Sequence, residues 1–411
     1  MTILVQKYGG TSLAMQEQRQ QVIAKIKEAL SKGFKLVVVV SAMGRLGNPY
    51  ATDTLLSLVR EHEGVLDKRE QDLLLSCGEI ISGVLLTSLL AKEGIKAITF
   101  NGAQAGILTN EDFTDSRIIS INPNKILEQL NQGKVVIVAG FQGTTKSGEI
   151  TTLGRGGSDT TAAALGVALK AETVEIYTDV DGIKTADPRI VEDAKTLSAV
   201  TYNEICQLAH EGAKVIHPRA VEVAMQHNLP LKIKSTFSEL PGTIITNQNG
   251  SSQLDVAINN YGLITGITQI PNITQLKVKI SSNNKEKYLA VKIFRALALA
   301  NISIDFINVH PEKIFFTVKE EVAEQAVEIL KNMDITPDIR FGCAKVSAVG
   351  AGMAGIPGVM AQIVEALHSE GIEILQSADS HTTIWCLVDR KDMEASVRAL
   401  HKRFKLGDKL K

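Results

Sequence analysis

A stretch near the C-terminus repeats itself, and the repeat limits the fold more than any other feature. Shifted by 70 residues, Ile293–Leu330 lies on Ile363–Leu400 without a gap. Ala296-Leu297 falls on Ala366-Leu367, Ile302 and Ile304 on Ile372 and Ile374, and Ile314 and Val318 on Ile384 and Val388. Val327 and Leu330 fall on Val397 and Leu400. Each copy reads helix, turn (Asn301 or Gly371), strand, strand, helix. An upstream strand, Gln275–Ile280 or Lys345–Val349, completes two βαββα modules. The matching positions are core-type residues, so the repeat indicates a shared fold more than a shared ligand.

The first 245 residues follow a different rule. Apolar β-branched runs (Ile3–Val5, Leu36–Val40, Val135–Val138, Val174–Tyr177) alternate with helical stretches (Arg19–Leu30, Leu73–Leu90, Thr160–Leu169). Continuous apolar strands between amphipathic helices predict an α/β sandwich, a parallel sheet covered on both faces. Thr246–Tyr261 is polar and rich in Gly, Ser and Asn, which marks a linker. The expected organisation is residues 1–245 as the α/β domain, 246–263 as linker, 264–338 as the first module and 339–411 as the second. A chain of 411 residues accommodates this division.

Composition excludes several classes. Lys+Arg (44) and Asp+Glu (45) nearly cancel, which argues against nucleic acid as a partner. There is no signal-peptide pattern and no long uncharged apolar stretch, so no membrane span is expected. Cys77, Cys206, Cys343 and Cys386 are far apart and form no CxxC pair. They read as reduced, mostly buried thiols of a cytoplasmic protein.

Four clusters carry chemistry. Lys7-Tyr8-Gly9-Gly10-Thr11-Ser12 follows the first strand; its glycines let backbone N–H groups approach phosphate, and Lys7 supplies a point charge. On the glycine pair alone, a tight strand–helix turn with a solvated lysine is the simpler reading. Thr151-Thr152-Leu153-Gly154-Arg155-Gly156-Gly157-Ser158-Asp159 opens a helix. A cap needs one polar residue; three glycines plus an arginine fork point to an anion site. Tyr177-Thr178-Asp179-Val180-Asp181-Gly182 ends a strand where ligands of parallel sheets sit, although Asp-Gly turn chemistry explains it equally well. Ser76-Cys77-Gly78-Glu79 begins a largely apolar helical run, and on its residues alone Glu79 reads as a solvated first-turn carboxylate.

Other motifs fall away. Gly350–Gly355 fits G-x-G-x-x-G, but only 56 residues follow it, too few for a doubly wound sheet. It reads as a small-residue turn in the second module. No Walker A, HExxH or GxSxG string occurs. His217, before Pro218 at an element end, reads as packing.

Taken in order, KYGGTS (7–12), VVVSAM (38–43), SCGE (76–79), TTLGRGGSDTTAAAL (151–165), YTDVDGIKTADPR (177–189) and EGAKVIHPRA (211–220) resemble the aspartokinase branch of the amino acid kinase family. The resemblance covers essentially the whole chain; Tyr8 departs from the usual Phe. It implies a kinase sandwich followed by two ACT modules. It also implies transfer of the γ-phosphoryl of ATP, with Mg²⁺, to L-aspartate, giving 4-phospho-L-aspartate for lysine, diaminopimelate, threonine and methionine synthesis. By resemblance Lys7 neutralises the transferring phosphoryl and Asp159 positions Lys7. Arg155 grips the substrate α-carboxylate and Glu79 its α-amine, with Ser41, Thr52 and Ser158 completing the substrate site. Tyr8, Gly9 and Gly10 contact phosphates. Thr178, Asp179, Lys184, Thr185, Ala186, Asp187, Pro188, Arg189 and Lys214 form the nucleotide site. No protein-held metal site is implied.

The ACT pair implies feedback by an amino acid and a homo-oligomer. Candidate effector residues are Tyr288, Ser303 and Asp305 in the first copy. In the second they are Gly355, Ile356, Pro357, Gly358, Ser377 and Asp379. Lysine-sensitive relatives carry Thr-Ser-Glu where this chain has Val309-His310-Pro311. The string QSADSHTTIW (376–385) resembles the diaminopimelate-responsive isozyme, which puts meso-diaminopimelate first and lysine second. The alternatives are a sister kinase acting on glutamate or N-acetylglutamate and a non-catalytic amino-acid sensor. Intact Lys7, Arg155 and Asp159 speak against the sensor.

Overall fold

The computed structural model describes residues 2–60, 66–213, 215–247, 263–280, 289–351, 353 and 356–407. It divides into two compact units, Met1–Lys184 with Thr196–His210 and Lys214–Asn260, and Thr185–Lys195 with Glu211–Ala213 and Tyr261–Lys411.

The strands of the first unit are β1 (Ile3–Tyr8), β2 (Lys35–Val40), β3 (Ala97–Phe100), β4 (Ile107–Thr109), β5 (Ile118–Ile121), β6 (Val135–Ala139), β7 (Gln142–Thr144), β8 (Ile150–Thr152), β9 (Thr173–Thr178), β10 (Ala199–Thr201), β11 (Leu231–Ser235) and β12 (Thr243–Thr246). Eight of them form one sheet in the order β10-β12-β11-β9-β1-β2-β6-β3. It is parallel throughout except where β11 meets β12. Its central strands are buried on both sides, as their unbroken apolar runs require: Val37 to Val40 and Val135 to Ala139 are all sealed. A second sheet, β5-β4-β7-β8, lies within the same unit.

The helices used below are α1 (Gly10–Leu13), α2 (Gln16–Ser31), α3 (Thr52–Arg60), α4 (Lys68–Lys92), α5 (Asn124–Asn131), α6 (Gly157–Ala168), α7 (Tyr202–His210) and α8 (Pro218–Gln226). By length and composition α4 is apolar enough to cross a membrane. Here it is a core helix: Leu86 and Leu90 pack with Leu4, Tyr8 and Ile137 of the sheet. Asp67 caps it by accepting the Arg69 N–H.

The second unit contains one six-stranded sheet. Its strands are β13 (Gly266–Lys279), β14 (Asp305–His310), β15 (Lys313–Lys319), β16 (Asp338–Val349), β17 (Gln376–Asp379) and β18 (Thr383–Asp389), in the order β14-β15-β13-β16-β18-β17. Helices Leu289–Leu299 and Ala323–Lys331 belong to the first copy, Val359–Ser369 and Met393–Arg403 to the second. Both copies are thus βαββα, and each has its own apolar core.

The packing departs from the linear division at residues 338 and 339. β13 is one continuous strand serving both copies. Leu276 and Val278 enter the first core, while Ile264 and Ile267 enter the second. Ala186, Val191 and Ala194 also pack in the second core. Residues 185–195 and 211–213, expected in the α/β domain, therefore belong to the regulatory unit. The physical reason is a core of modest size that needs apolar residues distant in sequence. The expected linker, 246–263, lies mostly outside the described residues.

Candidate active site

The parallel strands β9, β1, β2 and β6 end side by side, and the loops leaving them converge. This is where open α/β sheets bind ligands. Lys7, the penultimate residue of β1, points to the α6 side and its Nζ lies 2.6 Å from Asp159 Oδ1. Both side chains are nearly buried, and Asp159 is the third residue of α6. The neighbouring Tyr8 points the opposite way into the core, stacked on Tyr177 with ring centroids 4.8 Å apart. Its hydroxyl donates to Gln6 Oε1. The Tyr-for-Phe departure is therefore accommodated by a buried partner, and only the Tyr8 backbone is available to a ligand.

The turn after β1 has no room for a side chain at Gly10. A Cβ on Gly10 would lie 2.6 Å from the Ala42 carbonyl and 2.7 Å from that of Gly44. A Cβ on Gly9 would stand 3.7 Å from Lys7 Nζ, in the space in front of the ammonium. The Ser41 N–H donates to the Tyr8 carbonyl, and the Gly140 N–H to that of Val40. Gly140 in turn leaves room for Ser158. Lys7, Ser41 and Ser158 are thereby brought to one sheet end.

The loop before α6 is built on left-handed backbone at Gly154 and Gly156, with φ of 70° and 69°. At Gly156 any side chain would run into His217, the residue preceding α8. Burial pushes the His217 imidazole below its ordinary range, against the pull of Asp159. Arg155, between the two glycines, is exposed and pairs with no acid among the described residues. It immediately precedes the N-cap of α6, a helix N-terminus where anions are favoured.

Glu79 differs from its expected place. It is not a solvated first-turn residue but sits in the middle of α4, 2% exposed. Its Oε1 accepts the Ala42 N–H at 3.1 Å. Its Oε2 is buried with no hydrogen-bond partner among the described residues. Burial raises its carboxyl to about 8, against the Ala42 hydrogen bond. Gly78 beside it packs against Ala42 and the Tyr50 carbonyl. Thr52, the first residue of α3, is half-buried.

The comparisons with known proteins converge. Residues 2–235 match the model of the amino acid kinase family, and residues 338–402 an ACT domain. Aspartokinase 1 of Bacillus subtilis is 52% identical over 99% of this chain and 100% of that protein. The aspartokinase of Geobacillus stearothermophilus is 40% identical over 99% of this chain and 98% of its own. The chain belongs to the aspartokinase branch of the amino acid kinase family.

Solved aspartokinases share the whole architecture. The Clostridium acetobutylicum enzyme superposes with a TM-score of 0.78 at 25% identity, covering 98% of this chain and 100% of that one. Escherichia coli aspartokinase III, in complex with aspartate and ADP, gives 0.77 at 25% identity over 98% and 99%. The α/β sandwich followed by two ACT modules is thus the aspartokinase fold.

The residues expected at the nucleotide are divided. Thr178, Asp179 and Lys184 belong to the first unit. Asp179 ends an exposed ion pair with Arg45 at 2.8 Å and also accepts the Thr178 hydroxyl. Thr185, Ala186, Asp187, Pro188 and Arg189 belong to the second unit. There the Arg189 guanidinium forks onto Asp187 and holds its carboxyl below the usual range. Lys214 lies outside the described residues.

The effector candidates are also split. A cavity of about 820 Å³ in the second copy is lined by Ile356, Gly358, Ser377 and Asp379, together with His381 and Met360. Pro357 is exposed and is not part of its lining. In the first copy Ser303 is exposed, and Asp305 Oδ2 is bound by Lys345 Nζ at 2.6 Å. Tyr288 and Gly355 lie outside the described residues. Gly350 is the small-residue turn expected: a Cβ there would meet the Leu263 carbonyl at 1.9 Å.

Among the buried charges that the sequence reading missed are Asp72 and Lys345. Asp72 of α4 is fully buried and accepts three hydrogen bonds. Lys345 of β16 is buried between Glu211 and Asp305. The first had a signal, an acid seven residues before Glu79 on an otherwise apolar helix face. The second had none, because Lys345 sits in an alternating strand pattern where a lysine reads as solvent-facing.

Proposed function

We propose that the chain transfers the γ-phosphoryl of ATP to the β-carboxylate of L-aspartate and is inhibited by an amino acid held in its ACT modules. The observation that carries the substrate is Glu79, a sealed carboxyl group with one oxygen unpartnered among the described residues. Such an oxygen is costly unless a ligand completes it, and an α-ammonium is the matching group. Arg155, a fork paired with no acid among the described residues, suits the α-carboxylate. Ser41, Thr52 and Ser158 complete the pocket around the substrate.

The β-carboxylate is already ionised at neutral pH, so no general base is required. It attacks the γ-phosphorus as the bond to the β,γ-bridging oxygen breaks, and ADP departs with that electron pair. Lys7 meets the charge on the transferring phosphoryl, and Asp159 fixes the ammonium in front of Gly9. Backbone N–H groups at Tyr8, Gly9 and Gly10 approach the phosphates, since no Cβ intervenes at the glycines. Thr178, Asp179, Lys184 to Arg189 and Lys214 serve the nucleotide. Mg²⁺, which favours phosphate oxygens, would come with the nucleotide and offset part of its charge.

The effector site we favour is the second-copy cavity, a size suited to a small polar ligand. Asp379 and Ser377 would take an ammonium, with meso-diaminopimelate preferred over lysine. Edge strands β14 and β17, with Ile307 and Val309 exposed on the former, fit association with a second copy of the chain. Four unpaired thiols fit the reducing cytoplasm. The product feeds lysine, diaminopimelate, threonine and methionine synthesis.

The test is ATP- and Mg²⁺-dependent trapping of the acyl phosphate as a hydroxamate, with aspartate, glutamate and N-acetylglutamate in parallel. Signal with aspartate alone is expected, quenched by diaminopimelate. Silence with aspartate overturns the reading, in favour of a sister kinase where glutamate responds. Lys7→Ala is expected to abolish the signal in a folded protein.

A further inference from the structure

The mechanism leaves Asp72 unused, although it is among the most thoroughly buried acids of the molecule. It lies seven residues before Glu79 on α4, two helical turns, and therefore on the same face. Its bonds all go to one place. Asp72 Oδ2 accepts the Thr152 N–H at 2.8 Å and the Thr114 N–H at 3.0 Å. Its Oδ1 accepts the Thr152 hydroxyl at 2.6 Å. Thr152 ends β8 and stands three residues before Arg155.

The same loop base is tied down elsewhere. The Thr152 carbonyl accepts the Ser116 N–H, and the Leu153 carbonyl accepts from Arg219 Nη1 at 2.9 Å. Arg219 also holds Asp115 at 3.1 Å, beside the tight Gly154 turn. Of these fastenings, only that of Asp72 reaches α4. One rigid helix thus carries Glu79 and also anchors the root of the Arg155 loop.

We infer that Asp72 is a positioning residue that fixes the spacing between Arg155 and Glu79, and so holds the site to the fixed separation of carboxylate and ammonium on the α-carbon of a free amino acid. This rests on the substrate reading above, in which these two side chains grip the α-carboxylate and α-amine. A buried carboxylate with three donors is rigid, and the loop inherits that rigidity.

Asp72→Ala, Asp72→Asn and Thr152→Val test this in the full chain. Asp72→Ala should raise KM for aspartate about tenfold or more, with KM for ATP within about twofold. Backbone hydrogen exchange across residues 152–157 should quicken while β1 keeps its protection. Asp72→Asn should restore both, because its oxygen accepts the two N–H bonds and the Thr152 hydroxyl turns to accept from the amide. Thr152→Val keeps the backbone bond and should show a smaller shift of the same kind. If Asp72→Ala does not fold, an unchanged aspartate KM in Thr152→Val overturns the inference. Equal rises in both KM values, or failure of Asp72→Asn to restore aspartate affinity, also overturn it. Exchange reads the loop whatever the substrate is, so a wild-type chain inert towards aspartate would sink the substrate reading alone.

Discussion

Two buried ionisable groups in this molecule are handled in opposite ways. At the sheet end of the first unit, Glu79 is sealed with one oxygen satisfied and the other without a partner among the described residues. In the sheet of the second unit, Lys345 is equally sealed, at 7% exposure, yet satisfied by the chain itself. Its Nζ reaches Glu211 Oε2 at 3.0 Å and Asp305 Oδ2 at 2.6 Å, and the Ser347 hydroxyl completes Glu211 at 2.7 Å. Desolvating a charge is expensive in both places. Where the protein supplies every partner, the charge is part of the scaffold. Where it withholds one among the described residues, as at Glu79, the proposed substrate ammonium would supply it. A related contrast separates the two ACT copies: Asp305 of the first is already bound by Lys345 of the second copy's strand β16, while the second keeps an open cavity at Ser377 and Asp379.

The comparison breaks most visibly if the two charges exchange roles in kinetics. Glu79→Ala should lower kcat/KM for aspartate roughly 10³-fold, whereas Lys345→Met should leave it within about threefold. A Lys345→Met variant as inactive as Glu79→Ala would erase the distinction. Stability should show the reverse. Lys345→Met leaves Glu211 buried without its cation and should cost about 3 kcal/mol by denaturant titration, and adding Glu211→Gln should recover most of it. The pH dependence sharpens the contrast on the Glu79 side. With a carboxyl raised to about 8, Glu79 is protonated in the empty site at neutral pH, and it must lose that proton to meet an ammonium. The KM for aspartate should therefore fall by roughly tenfold per pH unit up to about 8, and not in Glu79→Gln. The unliganded chain should also lose stability relative to Glu79→Gln as pH rises from 4.5 towards about 8, because the folded state retains the proton that the unfolded state has released. The smallest effect concerns the ACT copies. Asp379→Ala should weaken feedback inhibition about tenfold, while Val309→Ala, at the matching place in the first copy, should change it less than about twofold.

Much of this was legible in the residues. The alternation of apolar runs and helices marked the parallel sheet, because strands buried on both faces leave no polar positions. The repeat marked the two modules because core positions recur even where ligands do not. Gly154 and Gly156 were readable as part of an anion-site loop, and here both adopt left-handed backbone that favours glycine. Glu79 was misplaced on its residues alone. A glutamate flanked by Gly78 and apolar residues looks the same at a helix start or in its buried middle, and only the family resemblance gave it a substrate. The module boundary failed for a different reason. A strand pattern reports which residues face inward, not which of two cores receives them. Asp187 and Arg189 were read as ligand groups, and here they pair with each other.

That shared strand has a consequence for anyone cutting the chain. A fragment starting at residue 339 would encode helix, strand and turn in the right order. It would lack the neighbour that covers β16 from Gly266 to Lys277 and the two side chains, Ile264 and Ile267, that plug its interior. The bared edge would offer unpaired amides to any passing strand. The second ACT copy is therefore a folding dependent of sequence that precedes the first, and the first copy is an insertion carried on a single uninterrupted rail.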